Sequence, residues 1–234
     1  MHRGSRVVHA TILIVTVGTA CGGADRRIVP GERIGPVSAQ SSEAALVAEL
    51  GASAVVSREI QIGEGFCTAG TVVFPETPDA IEVTWTDRSH VRPASASIQE
   101  PRSRFATESG VRIGTTLEQL AGLNGGPISF TGFGWDYGGT AHWEEPGSRD
   151  PVTPGSTAVT APGSTESPRP GLDLRLAPDS VADARVRDDP RYTEILGEQP
   201  ISSDHPLLRE MGIRVEAITI RWADPAPQHQ CSGL

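Results

Sequence analysis

The chain has 234 residues, a formal net charge of −9 and 20 basic side chains, all of them arginine. An acidic body of this kind is a poor neutraliser of phosphates, which excludes nucleic acid as a main partner, and the lack of lysine excludes lysine-based covalent catalysis. Only eleven aromatic rings stand against 26 Gly and 19 Pro, so the core is expected to be built from Ile, Leu and Val between long loops.

The first twenty residues read as an export signal. Arg3 and Arg6 precede an apolar run over residues 7–17, and the small residues Gly18, Thr19 and Ala20 lead to Cys21. The run is too short for a comfortable membrane span, so cleavage is expected. Residues 17–21, Val-Gly-Thr-Ala-Cys, resemble the lipobox of bacterial lipoproteins, although Gly18 stands where that family usually has Leu. The resemblance implies a cell-envelope address, Cys21 as a lipidated N-terminus, and contact with the membrane only through that lipid. Cleavage by an ordinary signal peptidase after Ala20, giving a soluble periplasmic or secreted protein, is the alternative. Loss of Arg3 and Arg6 takes the formal charge from −9 to −11. With Cys21 lipidated, Cys67 and Cys231 remain and can pair in an oxidising compartment; two free thiols are the alternative.

Residues 21–31 are expected to be a flexible tether, after which one plan is written twice. In residues 32–86, Arg33-Ile34-Gly35 leads to a Ser cap at Ser41 or Ser42, a helix with Leu46, Val47 and Leu50 on one face, and a stop at Gly51. In residues 106–223, Arg112-Ile113-Gly114 leads to a T-x-x-E capping box of Thr115 and Glu118. Leu117, Leu120, Ala121 and Leu123 then share a face, and Asn124-Gly125-Gly126-Pro127 ends the helix. Helices this short are marginal alone and must pack on a sheet.

Strands are predicted at 57–63, 71–75 and 80–86 in the first copy, and at 127–135, 139–144, 171–177 and 214–222 in the second. Both copies close on an A-I-x-[VI]-x-W strand, with Ile81, Val83 and Trp85 on one face of the first and Ile218, Ile220 and Trp222 on one face of the second. Residues 87–105 are expected to link the copies. Residues 145–170, rich in Pro, Gly, Ser and Thr, form an expected disordered insertion. Residues 179–211 lack periodicity except for a turn of helix near 207–211, and 224–234 read as a tail. The predicted class is α+β: two tandem strand–helix–antiparallel-sheet modules, with short helices packed on antiparallel sheet and long Pro/Gly/Ser/Thr-rich loops.

The paired Arg-Ile-Gly, helix and Gly segments, with their alternating strands, resemble the small exported α+β modules of the β-lactamase inhibitor protein and of outer-membrane assembly lipoproteins. That resemblance implies a non-catalytic interaction role; it carries over no contact residue. The segment Gly132-Phe133-Gly134-Trp135-Asp136-Tyr137-Gly138-Gly139 also resembles one in uncharacterised bacterial exported proteins.

This segment is the leading site candidate, as an aromatic hairpin turning at 136–139. Glycines let a ligand approach the backbone, and Trp135 and Tyr137 offer stacking faces, with Phe133, Asp136, His142 and Trp143 beside them. The alternative is a glycine-bent hairpin whose rings complete the core. Asp136, His142, Glu144 and Glu145 allow an acid–base pair or metal site in principle, but no metal-ligand spacing supports one. No G-x-S-x-G elbow or phosphate loop is present. The expected function is non-catalytic binding of an envelope protein or small ligand, without cofactor or metal. An exported hydrolase or carbohydrate-binding protein using residues 132–145 is the alternative.

Overall fold

The computed structural model describes residues 25–143 and 171–231. The export signal, Cys21, residues 22–24 of the tether, Glu144, the whole 145–170 insertion with Glu145, and residues 232–234 lie outside the described residues.

Two short helices form where local chemistry caps them. Helix α1, Glu43–Leu50, starts at Ser42, whose hydroxyl accepts the Ala45 N–H, and stops at Gly51. Helix α2, Leu117–Asn124, stops at Gly125, a left-handed cap with φ of 73°. Its capping box is Thr116 with Gln119, one residue beyond the expected Thr115 and Glu118. The reason is competition: the Thr115 hydroxyl is taken by the Arg112 N–H at 2.9 Å, closing the turn before the helix. Leu46, Leu117 and Leu120 bury the helices in the core, which is what makes eight-residue helices stable.

A small three-stranded sheet, β1 (Ile28–Val29), β2 (Arg33–Ile34) and β3 (Val37–Ser38), precedes α1. Four strands follow it: β4 (Val55–Gly63), β5 (Phe66–Val73), β6 (Ile81–Trp85) and β7 (Pro93–Ile98). After α2 come β8 (Ser129–Thr131), β9 (Thr140–Trp143) and β10 (Leu172–Ala177). Helix α3 (Ser180–Val186), β11 (Pro200–Ser202), β12 (Arg214–Arg221) and β13 (His229–Gln230) complete the chain.

One antiparallel eight-stranded sheet dominates, in the order β13-β5-β6-β7-β12-β10-β9, with β4 on the other side of β5. Its buried face carries Ile81, Val83 and Trp85, then Ala96 and Ile98, Ile218 and Ile220, and Leu172, Leu174 and Leu176. The helices pack there, so the mixed, mainly antiparallel α+β class stands. Cys67 and Cys231 form a disulfide with Cα atoms 4.9 Å apart, pinning β13 to β5.

Several expectations are corrected. Residues 93–98, inside the expected linker, are β7 at the middle of the sheet. Its inward positions include Ala94 and Ala96, its outward ones Ser95 and Ser97, so its alternation is faint in hydropathy. The expected hairpin over 127–144 does not form: β8 pairs with β11, whereas β9 pairs with β10. Residues 180–186, expected to be irregular, are α3, started by the Asp179 carboxylate accepting the Val181 and Ala182 N–H groups. The helical turn near 207–211 is present as a 3-10 segment, Pro206–Glu210. The expected tail contains β13 and the disulfide.

Candidate binding site on the polar sheet face

The pleat sends alternate residues of the large sheet away from the core. Across adjacent strands these outward residues hydrogen-bond as a ladder of short side chains. Thr84 and Ser95 hydroxyls meet at 2.7 Å, Ser97 and Thr219 at 2.9 Å, and Gln99 Nε2 donates to Glu82 at 3.0 Å. Further along, His142 Nδ1 lies 3.2 Å from Asp173, which also faces Arg221 at 3.6 Å. Burial pushes the Glu82 carboxyl above its usual range, against the opposing effects of Gln99 and Arg58. Arg58, Arg175 and Arg221 at the margins are exposed.

At one corner the β4–β5 turn meets the 132–139 loop. The Glu64 N–H donates to Asp136 Oδ2 at 2.5 Å, and Gly63 lies so close to Tyr137 that an added Cβ would sit 3.2 Å from its hydroxyl. The 132–139 loop folds on itself. Trp135 Nε1 donates to the Gly132 carbonyl at 3.0 Å, and the Tyr137 carbonyl accepts from Thr131 and Thr140 hydroxyls at 3.0 and 2.8 Å. Trp135 and Tyr137 stand edge to face, centroids 5.5 Å apart at 72°. Burial, then the carboxylates of Glu64 and Asp136, raise the Tyr137 phenol above its ordinary value.

The six candidate residues therefore divide. Trp135, Asp136 and Tyr137 form this clasp. Phe133, packed on Phe130, and Trp143 are buried, with only 7% and 1% of their surface exposed, so neither presents a face to a ligand. His142 belongs to the polar ladder with Asp173. The thiols of Cys67 and Cys231 are spent in the disulfide.

A second polar cluster was invisible in the sequence. Glu43, the first residue of α1, accepts from Ser57 at 3.1 Å and from the Thr71 hydroxyl, and meets His90 Nδ1 at 2.6 Å. Trp85 Nε1 donates to Thr71 at 2.9 Å, and the His90 ring stacks on Trp85 at 5.2 Å and 10°. Burial opposes ionisation of Glu43, but the hydrogen bonds from Thr71 and His90 outweigh it and hold its carboxyl below the usual range. His90 lies 47 residues from Glu43 in a turn, so no local spacing announces the pair. Each of the four described histidines, His90, His142, His205 and His229, sits beside a carboxylate.

Among the described residues, no group of three or more His, Cys, Asp or Glu could hold a metal ion. No helix among them is long and apolar enough to cross a membrane. These features define a mainly antiparallel α+β protein with a polar sheet face and an aromatic clasp. Comparison with known proteins finds no matching family model, no similar curated protein and no similar solved structure.

Proposed function

We propose that this is an exported, lipid-anchored protein of the bacterial cell envelope that binds a protein or a small ligand and catalyses nothing. The anchor rests on the lipobox-like residues 17–21. A disulfide between the two remaining cysteines agrees with an oxidising compartment.

The tandem plan is supported by strand order. In the first half α1 is followed by β4, β5 and β6; in the second, α2 is followed in the large sheet by β9, β10 and β12, with β8 and β11 forming a separate pair. Across the sheet these run β4-β5-β6, then β7, then β12-β10-β9, so the two sets lie in mirrored order about β7. A duplicated helix-and-sheet unit whose two last strands, β6 and β12, both pair with β7 gives this order.

The observation that carries the binding reading is the half-exposed hydroxyl pair Ser97–Thr219, with half-exposed Ser95 beside it on the buried Thr84. Short hydroxyl side chains let a partner's backbone approach closely while supplying both donors and acceptors. A photo-crosslinking residue placed at Thr219 in the full chain, in its own envelope, tests this. The control position is Val181 on α3, which is 58% exposed. A discrete adduct from Thr219 that is absent from Val181 is expected. The same adducts from both positions, or none from Thr219, overturn the reading.

A further inference from the structure

We propose that the clasp between the β4–β5 turn and the 132–139 loop binds an organic cation, a guanidinium or an alkylated ammonium group. This goes beyond the binding reading above, which is carried by the hydroxyl ladder on the sheet face, and concerns a separate corner of the molecule.

The argument begins with how the rings are spent. Of eleven aromatic side chains, Trp85, Trp143, Phe105 and Phe130 are fully buried and Phe133 nearly so. Trp135 and Tyr137 stay half-buried at the surface, two residues apart and nearly perpendicular. Phe66, 36% exposed, lies across from Gly63 on the same turn that Tyr137 touches. Three rings of a ring-poor chain thus gather at one exposed corner. The rings pack edge to face, so the edge of one covers part of the other's face, and the ring surface left half-exposed presents its negative quadrupole to a cation. Trp135 is held by its ring N–H to Gly132 and the backbone at Tyr137 by the hydroxyls on its carbonyl, so a ligand does not have to order the loop.

Charge gives the sign of the ligand. Glu64 and Asp136 are both exposed, and the Glu64 N–H to Asp136 hydrogen bond brings the two residues together. Neither makes an ion pair among the described residues. Arg221, the cation that acts on Tyr137, is engaged by Asp173 at 3.6 Å. Two uncompensated carboxylates beside aromatic faces repel an anion and attract a cation, and the net charge of −9 adds long-range attraction. A strongly hydrated metal ion needs a cage of oxygens, whereas only two carboxylates meet here. A weakly hydrated organic cation uses both the rings and the charges.

The test titrates the full chain, in detergent, with choline, with N-acetylarginine amide and with 3,3-dimethylbutan-1-ol, the neutral isostere of choline, following binding by calorimetry. Saturable millimolar binding of a cation is expected, weakening with salt, with the isostere about tenfold weaker or worse. Tighter binding of the arginine amide assigns the cation to a protein side chain; tighter binding of choline assigns it to a free small molecule. The double variant Glu64→Gln, Asp136→Asn keeps the backbone donor and a side-chain acceptor, so it folds, and it should bind the cations about tenfold more weakly. Trp135→Leu should lose a similar factor. Equal binding of the isostere, unchanged cation binding by the double variant, or no saturable binding of either cation overturns the proposal. The Thr219 adduct is read separately, so the cation site and the broader binding reading fail independently.

Discussion

Two corners of this molecule set a tryptophan beside a carboxylate, and they treat it in opposite ways. At the Glu43 corner, Trp85 is fully buried, its N–H is bonded to Thr71, and the carboxylate takes hydrogen bonds from Ser57, Thr71 and His90. At the clasp, Trp135 is only half-buried and Asp136 accepts a single backbone N–H. The first corner closes its polar accounts within the fold, which is the mark of a structural cluster. The second leaves two exposed carboxylates beside two half-buried rings, which is why the cation site is proposed there.

The largest expected effect breaks the clasp side of this comparison. Cys67 adjoins Phe66 at the base of the β4–β5 turn, and its bond to Cys231 spans 164 residues of sequence. On the chain-entropy account, the double variant Cys67→Ala, Cys231→Ala should lose about 3–5 kcal/mol in urea unfolding. Amide exchange should accelerate at the Glu64 N–H, which bonds Asp136, more than at the Glu43 N–H, which bonds the His90 carbonyl at 3.0 Å. Equal acceleration at both would mean that the two corners open as one unit.

Next in size is the loss of the Glu43 carboxylate. Glu43→Ala strands three hydrogen-bond partners in a partly buried site and should cost about 2 kcal/mol. The folded carboxyl titrates below its ordinary value of 4.5, so its contribution is fully present above that pH. It is lost as pH falls through the depressed folded value. Wild-type stability should therefore drop more steeply below pH 4.5 than that of Glu43→Gln. Parallel pH profiles for the two proteins would show that the cluster is not coupled to this proton.

How much of this was legible depends on the range of each interaction. A Ser cap at Ser41 or Ser42, which the structure resolves to Ser42, and the Gly51 and Gly125 stops are readable because they are made within a few residues. The α2 capping box was misplaced by one residue because Thr115 has a second suitor, the Arg112 N–H. Strands β6, β10 and β12 show their alternation, whereas β7 hides its alternation among alanine and serine. The supposed aromatic hairpin was wrong because the true partner of β8, Ile201 opposite Phe130, comes from a distant strand. The clasp was half legible. Trp135 and Tyr137 stood out as clustered rings, but their partner Glu64 is 72 residues from Asp136, and nothing local points across that gap.

The smallest effects sharpen the clasp itself, and two of them separate its backbone from its charge. Gly63 has φ of 107°, and a Cβ there would sit 3.2 Å from the Tyr137 hydroxyl, close enough that the ring must give way slightly. Gly63→Ala should therefore cost about 1 kcal/mol in urea unfolding, since a side chain disfavours that backbone and pushes on the ring. Asp136→Asn, exposed and still able to accept the Glu64 N–H, should shift stability by less than about 0.5 kcal/mol. A charge that contributes almost nothing to folding but is held beside two aromatic faces is one the fold does not need for itself. If Asp136→Asn instead destabilised as much as Glu43→Ala, the clasp would be a second structural cluster, and the contrast between the two corners would disappear.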